Sequence, residues 1–217
     1  HIWKKKDLDA AFAVDGDGDR IPFFDENGTY LDSHHVLLLL IYGLAAYKKL
    51  EGKVIVSFST TSRIELLAKH FGLEVQRVPI GFKSITAIML EEDILVGGEE
   101  SGGMTVGNYM PDRDGIWTGL TIWDLMVESG KKLSEMLEEV YAITGPFAFE
   151  RLDLDLNKNI RNKLIEKCRD EEFTAFGEYK VLGVETLDGY KFELGPNEWV
   201  MIRASGTEPV IRIYAEA

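Results

Sequence analysis

Three aspartates occur within five residues in the stretch DGDGDR, residues 15–20. Glycine separates each aspartate from the next, and the apolar run AAFAV, residues 10–14, comes directly before them. Carboxylates at such short spacing repel one another, so a positive group must sit among them when the chain folds. The first question that the sequence raises is which cation this is.

The spacing of Asp15, Asp17 and Asp19 predicts a site for a hard cation, Mg²⁺ in particular. On an extended strand these side chains would share one face, with neighbours roughly 6.6 Å apart. Adjacent ligands of an octahedral ion bound at about 2.0 to 2.1 Å are only about 3 Å apart, so the chain must curl. We expect Gly16 and Gly18 to permit this curl because glycine accepts positive φ angles. The alternative is a solvated acidic turn, but the repeated D-G pairs after an apolar strand favour the metal site.

Two other known motifs also have aspartates at alternate positions. An EF-hand loop would place its last ligand at Glu26, but it needs glycine where Arg20 stands and a ligand where Phe23 stands, so we reject it. A phosphatase of the haloacid dehalogenase class would use Asp15 as a nucleophile that forms an aspartyl-phosphate. Its pattern has Thr or Val at the position of Asp19, so this match is partial and remains an alternative.

Composition limits the partners of this chain. Its 217 residues are 45% hydrophobic, which is typical of a globular protein of about one to two domains. Lys and Arg number 24 against 37 Asp and Glu, and the net charge of -13 repels nucleic acid and anionic membranes. Cys168 is the only cysteine, no signal peptide is visible, and the longest apolar run, residues 36–44, is too short for a membrane span. We therefore expect a cytoplasmic protein.

The order of strand and helix patterns predicts an α/β fold, with a mixed or parallel sheet and flanking helices, followed by a smaller α+β domain. Asn27-Gly28 indicates a two-residue hairpin turn, and Asp32 or Ser33 can cap a helix that runs to about Leu50 before Gly52. Further strands are predicted at residues 54–59, 73–79 and 94–96, and further helices at 62–71, 84–90, 115–129 and 133–144.

The pair Gly145-Pro146 is the predicted domain boundary. Beyond it the pattern changes to a strand at 147–156, a helix at 159–168 and a series of strands joined by turns at 188–189 and 195–197. This order indicates a small α+β domain.

A second carboxylate lies in a glycine-rich loop, VGGEESGG, residues 96–103, which leaves the end of a predicted strand. Ligands of open α/β sheets bind at the carboxyl ends of the strands. Glu99 and Ser101 could bind neighbouring sugar hydroxyls, since one accepts and the other both donates and accepts hydrogen bonds. Lys83 follows another strand end. A flexible acidic loop and a surface lysine are the alternatives.

The C-terminal stretch RASGTEPVIRIYAEA, residues 203–217, has the character of an anion site. Ser205, Gly206 and Thr207 can turn successive N–H groups and two hydroxyls inward. Arg203 and Arg212, on the flanking strands, can close on one phosphate with charge-assisted bonds. An ordinary turn with two surface arginines is the alternative, but in so acidic a chain this pairing favours phosphate.

Four motifs in this order resemble those of the α-D-phosphohexomutases, the phosphoglucomutase and phosphomannomutase enzymes. They are DGDGDR at 15–20, GFK at 81–83, GGEESGG at 97–103 and R-x-S-G-T-E-P-x-x-R at 203–212. Proteins of that family have four domains. The resemblance implies that residues 1–28 end the second domain, that 29–145 form the third, sugar-recognising domain, and that 146–217 form the fourth, phosphate-binding domain.

The resemblance also implies a role for each matching residue. Mg²⁺ would be held by Asp15, Asp17 and Asp19, and the catalytic basic residues beside the reacting phosphate would be Arg20 and Lys83. Glu99 and Ser101 would bind the sugar hydroxyls. The phosphate that is not transferred would be held by Arg203, Ser205, Gly206, Thr207 and Arg212.

The sugar loop resembles the glucose-type enzymes more than the mannose-type G-E-M-S-G-H, because Glu100 and Gly103 stand where that pattern has Met and His. The family's nucleophile is a serine, phosphorylated in the resting enzyme, in a T-A-S-H-N-P type loop of the first domain. No such loop occurs in this sequence.

We therefore expect part of an enzyme that interconverts hexose 1-phosphate and 6-phosphate through a phosphoserine and a bisphosphorylated sugar. Its partners would be the hexose phosphate and the N-terminal domains of the same protein, and the chain alone would be inactive. The alternatives are a Mg²⁺-dependent phosphatase that uses Asp15 and a non-catalytic sugar-phosphate binder.

Overall fold

A computed structural model describes residues 8–206 and 208–217 of the chain. The chain divides into two compact units, His1–Gly145 and Pro146–Ala217. The first is an α/β unit and the second combines two antiparallel sheets, one of five strands and one of two, with a helix, so the predicted fold class is confirmed. None of the described helices combines the length and the apolar character that a membrane span requires.

The described part of the first unit contains five helices and seven strands. The helices are α1 Ser33–Ala46, α2 Arg63–Phe71, α3 Phe82–Met89, α4 Gly115–Ser129 and α5 Leu133–Thr144. The strands are β1 Ala11–Phe12, β2 Phe23–Phe24, β3 Tyr30–Leu31, β4 Lys53–Ser57, β5 Val75–Val78, β6 Ile94–Gly98 and β7 Met104–Val106.

The main sheet of this unit has the strand order β5-β4-β6-β7. Strand β4 runs parallel to β5 and β6, whereas β7 runs antiparallel to β6. The carboxyl ends of three strands therefore meet at one edge of the sheet, which is where ligands of such folds bind. Strand β7 was not predicted, because three residues carry too little periodicity to separate a strand from a loop.

Helix α1 is the centre of the first unit. Residues 36–41 are all at most 1% exposed, so the helix is covered on every side. Asp32 caps it, since its Oδ1 accepts a hydrogen bond from the amide of His35 at 3.0 Å. The predicted end near Leu50 is wrong: the helix stops at Ala46, and Lys49 takes a left-handed φ of 56°.

The three short strands β1, β2 and β3 form a separate antiparallel sheet. The predicted two-residue turn at Asn27-Gly28 is wrong, because the amide of Asp25 bonds to the carbonyl of Thr29 and leaves a three-residue loop. Gly28 supplies the left-handed residue of this loop, with φ of 80°. The Asp25 carboxylate holds the loop by accepting from the amides of Asn27 and Thr29 at 2.9 and 2.7 Å.

The other differences lie at element ends. Strand β4 ends at Ser57 and not at 59, because the amide of Thr60 turns back to the carbonyl of Ser57. Strand β5 covers only the middle of the predicted 73–79, and α3 begins at Phe82, directly after Gly81. Helix α2 and helices α4 and α5 lie within a residue of their predicted positions.

The second unit contains one helix and seven strands among the described residues. They are β8 Phe149–Asp155, α6 Lys158–Arg169, β9 Ala175–Phe176, β10 Tyr179–Lys180, β11 Gly183–Glu185, β12 Tyr190–Gly195, β13 Glu198–Ala204 and β14 Val210–Glu216. Five strands form an antiparallel sheet with the order β11-β12-β13-β14-β8, and β9 and β10 form a separate pair. The core is a cluster of Cys168, Phe192, Ile202 and Ile211, which join helix α6 to one face of the larger sheet.

Candidate functional site

The three aspartates after β1 form one compact acidic cluster. One carboxylate oxygen from each of Asp15, Asp17 and Asp19 lies within 4.8 Å of the others. The loop curls because Gly18 takes a φ of 75°, and the amide of Gly18 bonds to the carbonyl of Asp15 at 3.1 Å. The expectation that Gly16 also takes a positive φ is wrong, since the single left-handed residue closes the turn.

Hydrogen bonds fix the first aspartate of the cluster. The Oδ1 of Asp15 accepts from the amides of Asp19 and Arg20, each at 3.2 Å. Desolvation acts to raise the pKa of Asp15, but these two amides and the Arg20 guanidinium outweigh it and hold the pKa below its usual value. This carboxylate is therefore ionised at neutral pH, as a metal ligand must be.

The donor set fits a hard cation. Within the described residues, the Oδ1 of Asp19 is buried and accepts no hydrogen bond, and the Nε of Arg20 lies 3.7 Å from it. A buried carboxylate oxygen without a donor is costly unless a positive group satisfies it. Three carboxylates that converge on such a position are the oxygen ligands that Mg²⁺ prefers.

Two arginines border the cluster, and the sequence predicted only one of them. The Nε of Arg20 lies 3.6 Å from the Oδ2 of Asp15. Arg113, in the segment before α4, forms a close ion pair with the Oδ2 of Asp19, and its Nη1 lies 3.7 Å from the Oε2 of Glu99. Arg113 thus links the acidic cluster to the glycine-rich loop after β6.

Backbone contacts tie three segments together around the cluster. The amide of Ile21 bonds to the carbonyl of Gly102 at 3.3 Å, and Arg20 forms a bridge with Gly103. The amide of Gly115 bonds to the carbonyl of Gly18 at 2.9 Å. A Cβ at Gly115 would lie 2.8 Å from the carbonyl oxygen of Arg20, so only glycine allows α4 to begin this close to the acidic loop.

Glu99 is the most buried carboxylate of this site, at 4% exposure. Its Oε1 accepts a hydrogen bond from the amide of Gly81 at 2.7 Å, which joins the loop after β6 to the loop after β5. Burial raises the pKa of Glu99 above its usual value, although the Gly81 amide and Arg113 oppose the shift. Ser101 and Lys83 are exposed, Ser101 in the loop after β6 and Lys83 in the first turn of α3.

The second unit carries a separate pair of arginines. Arg203 on β13 and Arg212 on β14 lie directly opposite each other in the strand register. The Nε of Arg203 bonds to Asp188 at 3.0 Å, and the Nη2 of Arg212 bonds to Glu208 at 2.6 Å. Among the described residues, the Nε of Arg212 is buried and makes no hydrogen bond, although Asp153 lies 3.5 Å away.

The turn between β13 and β14 differs from the predicted anion nest. The amide of Ser205 bonds to the carbonyl of Val210 at 3.0 Å, so it is committed to the backbone and cannot face a ligand. The Ser205 hydroxyl accepts from the amide of Glu208 at 3.3 Å. The predictions for Gly206 and Thr207 stay untested, and Thr207 lies outside the described residues. The arginines carry the positive charge of this site.

Two family domains match the chain. The domain described as "Phosphoglucomutase/phosphomannomutase, alpha/beta/alpha domain III" matches residues 32–143, and the "C-terminal domain" of the same family matches 163–217. The chain belongs to the phosphoglucomutase/phosphomannomutase family. The division into parts 1–28, 29–145 and 146–217 remains a prediction.

The names of two similar proteins are consistent with this family. A phosphoglucomutase/phosphomannomutase of Thermococcus kodakarensis is 31% identical over 216 residues, which are 100% of this chain and 45% of the relative. A phosphoglucosamine mutase of Marinobacter nauticus is 30% identical over 98% of this chain and 43% of its own length. The chain thus spans less than half the length of these mutases.

Solved structures share the fold. A phosphomannomutase-type protein from Thermus thermophilus superposes with a TM-score of 0.78 at 34% identity, over 96% of this chain and 42% of that protein. A phosphoglucomutase/phosphomannomutase family protein from Burkholderia thailandensis gives a TM-score of 0.80 at 23% identity, over 100% of this chain and 44% of that protein.

Sequence patterns did not single out two residues beside the candidate sites, Arg113 and Asp188. Arg113 stands between two aspartates in P-D-R-D-G, directly before the first turn of α4. Asp188 belongs to a D-G turn that was noted only as a strand connection. Both act through contacts with residues at least 14 positions away, such as Arg113 with Glu99, which local patterns do not reveal.

Proposed function

We propose that this chain provides the Mg²⁺, sugar and phosphate sites of a mutase that moves a phosphoryl group between the 1- and 6-hydroxyls of a hexose. The observation that carries the proposal is a series of contacts in the first unit. Arg113 pairs with Asp19 of the aspartate cluster, and its Nη1 lies 3.7 Å from the Oε2 of the buried Glu99. Family membership favours this function over a phosphatase with Asp15 as nucleophile.

Asp15, Asp17 and Asp19 would hold the Mg²⁺. When bound, the ion would neutralise charge on the oxygens of the transferring phosphoryl group, where fixed positive charge supplies most of the catalysis. Arg20, already within 3.6 Å of Asp15, would steady the same group. Lys83, which has no hydrogen bond or ion pair among the described residues, remains available to the substrate in our proposal.

Glu99 and Ser101 would bind the sugar hydroxyls. The Gly81 amide fixes the Oε1 of Glu99 at 2.7 Å, and the Oε2, which lies 3.7 Å from the Nη1 of Arg113, would accept from a substrate hydroxyl. A hydroxyl that donates to this oxygen would favour the ionised form of Glu99, whose pKa burial raises. Binding of the hexose would therefore lower the pKa of Glu99.

Arg203 and Arg212 would hold the phosphate that is not being transferred. Arginines at directly opposed positions of neighbouring strands repel, and a phosphate dianion between them would remove that repulsion. Asp188 pairs with Arg203, and Asp153 and Glu208 pair with Arg212, so phosphate would compete with these carboxylates. In a mutase this site would receive the phosphate at either end of the sugar.

The nucleophile of the proposed reaction does not come from these residues. The sequence has no T-A-S-H-N-P type loop, and Ser101 and Ser205 already have other proposed roles. We therefore propose that the 217-residue chain binds hexose phosphate but does not isomerise it. The complete reaction would need the preceding domains of the family.

The test combines binding with turnover. We expect calorimetry to detect glucose 1-phosphate and glucose 6-phosphate binding that Arg203→Ala weakens, while a coupled assay detects no isomerisation. Robust Mg²⁺-dependent isomerisation by this chain would contradict the partial-enzyme proposal. Release of inorganic phosphate that Asp15→Asn abolishes would instead support the phosphatase. Parallel titrations with mannose 1-phosphate and glucosamine 1-phosphate test the glucose preference that the Glu100 loop indicates.

A further inference from the structure

The loop after β6 contains a tight turn of four residues, Glu99 to Gly102. The amide of Gly102 bonds to the carbonyl of Glu99 at 3.1 Å, and the amide of Glu99 bonds to the carbonyl of Gly103 at 2.9 Å. The central residues of this turn are Glu100 and Ser101. Turn types that share the closing bond differ in the orientation of the central peptide, so these two bonds do not decide where the Glu100 carbonyl points.

A hydroxyl from another element binds this carbonyl. The Oγ of Ser33, the first residue of α1, donates a hydrogen bond to the carbonyl oxygen of Glu100. Ser33 is half-buried and lies 67 positions before Glu100 in the chain. The peptide between Glu100 and Ser101 is therefore held by a side chain that does not belong to the loop. Because this peptide also carries the Ser101 amide, its orientation affects the neighbouring residues of the turn.

Helix α1 lies close to this loop along one face. Ser33 and Leu37 are at positions i and i+4, so they share a face of the helix. Leu37 packs against the end of β6, because a Cβ at Gly98 would lie 2.7 Å from the Leu37 Cδ1. A larger residue at Gly98 would push the helix away from the strand that leads into the turn. The glycine therefore keeps the Ser33 hydroxyl within reach of Glu100.

The first turn of α1 is itself fixed by its neighbours. The Nδ1 of His35 is 2.6 Å from the Oδ1 of Asp32, and its Nε2 is 2.8 Å from the hydroxyl of Tyr141 on α5. The Nδ1 of His34 accepts a hydrogen bond from the amide of Thr61, in the loop after β4, at 3.1 Å. This turn therefore has side-chain bonds to two other segments, which make it a firm support for the serine hydroxyl.

We propose that Ser33 is a positioning residue of the sugar site, which fixes the central peptide of the turn so that Glu99 and Ser101 face the hexose together. The inference rests on the proposed sugar role of those two residues and adds a residue that acts through the loop and not by contact with substrate. Loss of the Ser33 hydroxyl should let the central peptide take a second orientation. The affinity for hexose should then fall, whereas Mg²⁺ and phosphate, which use other residues, should bind as before.

Ser33→Ala tests this inference in the 217-residue chain. Hydrogen exchange measured without ligand should be faster at the Gly102 amide, which closes the turn. Ser33→Thr keeps the hydroxyl and should restore slow exchange. Calorimetry should show that glucose 1-phosphate binds about 3- to 10-fold more weakly to the alanine variant, since one net hydrogen bond is worth about that factor. The affinities for Mg²⁺ and for inorganic phosphate should not change.

Ser134→Ala is the matched control. Ser134 is also half-buried in the first turn of a helix, and its hydroxyl donates to another segment, at the Oε1 of Glu26. Its loss should lower the melting temperature about as much as Ser33→Ala does. It should change neither the exchange of the Gly102 amide nor the affinity for glucose 1-phosphate.

The inference is overturned if the alanine variant exchanges the Gly102 amide as slowly, or binds hexose as tightly, as the unmodified chain. It is also overturned if Ser33→Thr behaves like Ser33→Ala, or if glucose 1-phosphate and inorganic phosphate are weakened equally, because the change would then be general. Faster exchange in Ser33→Ala, together with an unmodified chain that binds no hexose phosphate, supports the positioning of the loop and counts against the proposed function.

Discussion

The acidic cluster of the first unit brings negative charges together, whereas the arginine pair of the second unit brings positive charges together. Three carboxylates meet within 4.8 Å in one, and two arginines occupy directly opposed positions on neighbouring strands in the other. Like charges this close destabilise a fold, so each site gains stability from a ligand of the opposite sign. A cation site and an anion site are thus each prepared by local repulsion within one acidic chain.

The two sites differ in how they are held. The acidic loop depends on backbone bonds to neighbouring segments, such as that from Gly115 to Gly18. Arg203 and Arg212 are brought together by the register of two seven-residue strands. A shift of that register by one residue would move either arginine to the other sheet face, whereas the acidic loop can be disturbed from a distance.

The largest effect is expected for removal of a ligand from the acidic cluster. Asp17→Ala should weaken Mg²⁺ binding about 100-fold or more, because loss of even an outer partner of a metal costs about 10- to 100-fold. Titration calorimetry with Mg²⁺ measures this change. Asp93→Ala, an exposed aspartate outside the cluster, is the matched control and should bind as the unmodified chain does. Equal affinity of both variants for Mg²⁺ would contradict a metal site at the acidic cluster.

The corresponding change in the second unit is Arg203→Ala. It should cost ~1.5 to 3 kcal/mol of phosphate binding, because hydrogen bonds between charged partners are worth that much. Calorimetry with glucose 6-phosphate gives the difference, and Arg169→Ala, an exposed arginine of α6, controls for the lost charge. Unchanged phosphate binding by the Arg203 variant would mean that the pairing of Arg203 with Arg212 across the two strands does not form an anion site.

The comparison also shows what the sequence could predict about the fold. The alternation of strands and helices and the Gly145-Pro146 boundary follow from periodicity and from turn residues, which are local signals. Strand β7 was missed because its existence depends on pairing with β6. The turn at Asn27 was misjudged because the Asp25 side chain, and not the N-G pair, fixes its length.

The same distinction applies to the candidate site. The aspartates, Glu99 and the arginines stand in short motifs that carry their chemistry in adjacent residues. Arg113 joins two motifs only after folding, and no pattern in the sequence gives that distance. The inward-facing amide expected at Ser205 is not observed for the same reason, because that amide bonds to the carbonyl of Val210.

The dependence of the acidic loop on its neighbours predicts the effect of Gly115→Ala. The new Cβ would lie 2.8 and 3.0 Å from the carbonyl oxygens of Arg20 and Gly18, so the loop must shift. We expect a loss of about 1 to 3 kcal/mol in the unfolding free energy of the first unit, and weaker Mg²⁺ binding. Urea unfolding measures the first and calorimetry the second. Gly16→Ala is the control within the same loop, since its Cβ would meet no atom within 4 Å.

The smallest expected effect concerns an aspartate that has a single well-placed partner and no like-charged neighbour in contact. Burial acts to raise the pKa of Asp32, but its hydrogen bond to the His35 ring at 2.6 Å lowers it from 3.8 to about 2. The stabilisation is therefore complete above the unfolded pKa and is lost as pH falls through about 2. Allowing for partial exposure, it amounts to about 1 to 2 kcal/mol.

Asp32→Asn isolates this charge, because asparagine caps a helix as well as aspartate does. The difference in unfolding free energy between the two proteins should be constant near neutral pH and should shrink between about pH 4 and pH 2. An Asp32 carboxyl titration with a midpoint at its usual 3.8 would contradict the assignment. It would also show that one histidine partner does not shift a carboxylate here, whereas the Asp15 carboxylate, whose pKa is lowered, has two amides and a guanidinium beside it.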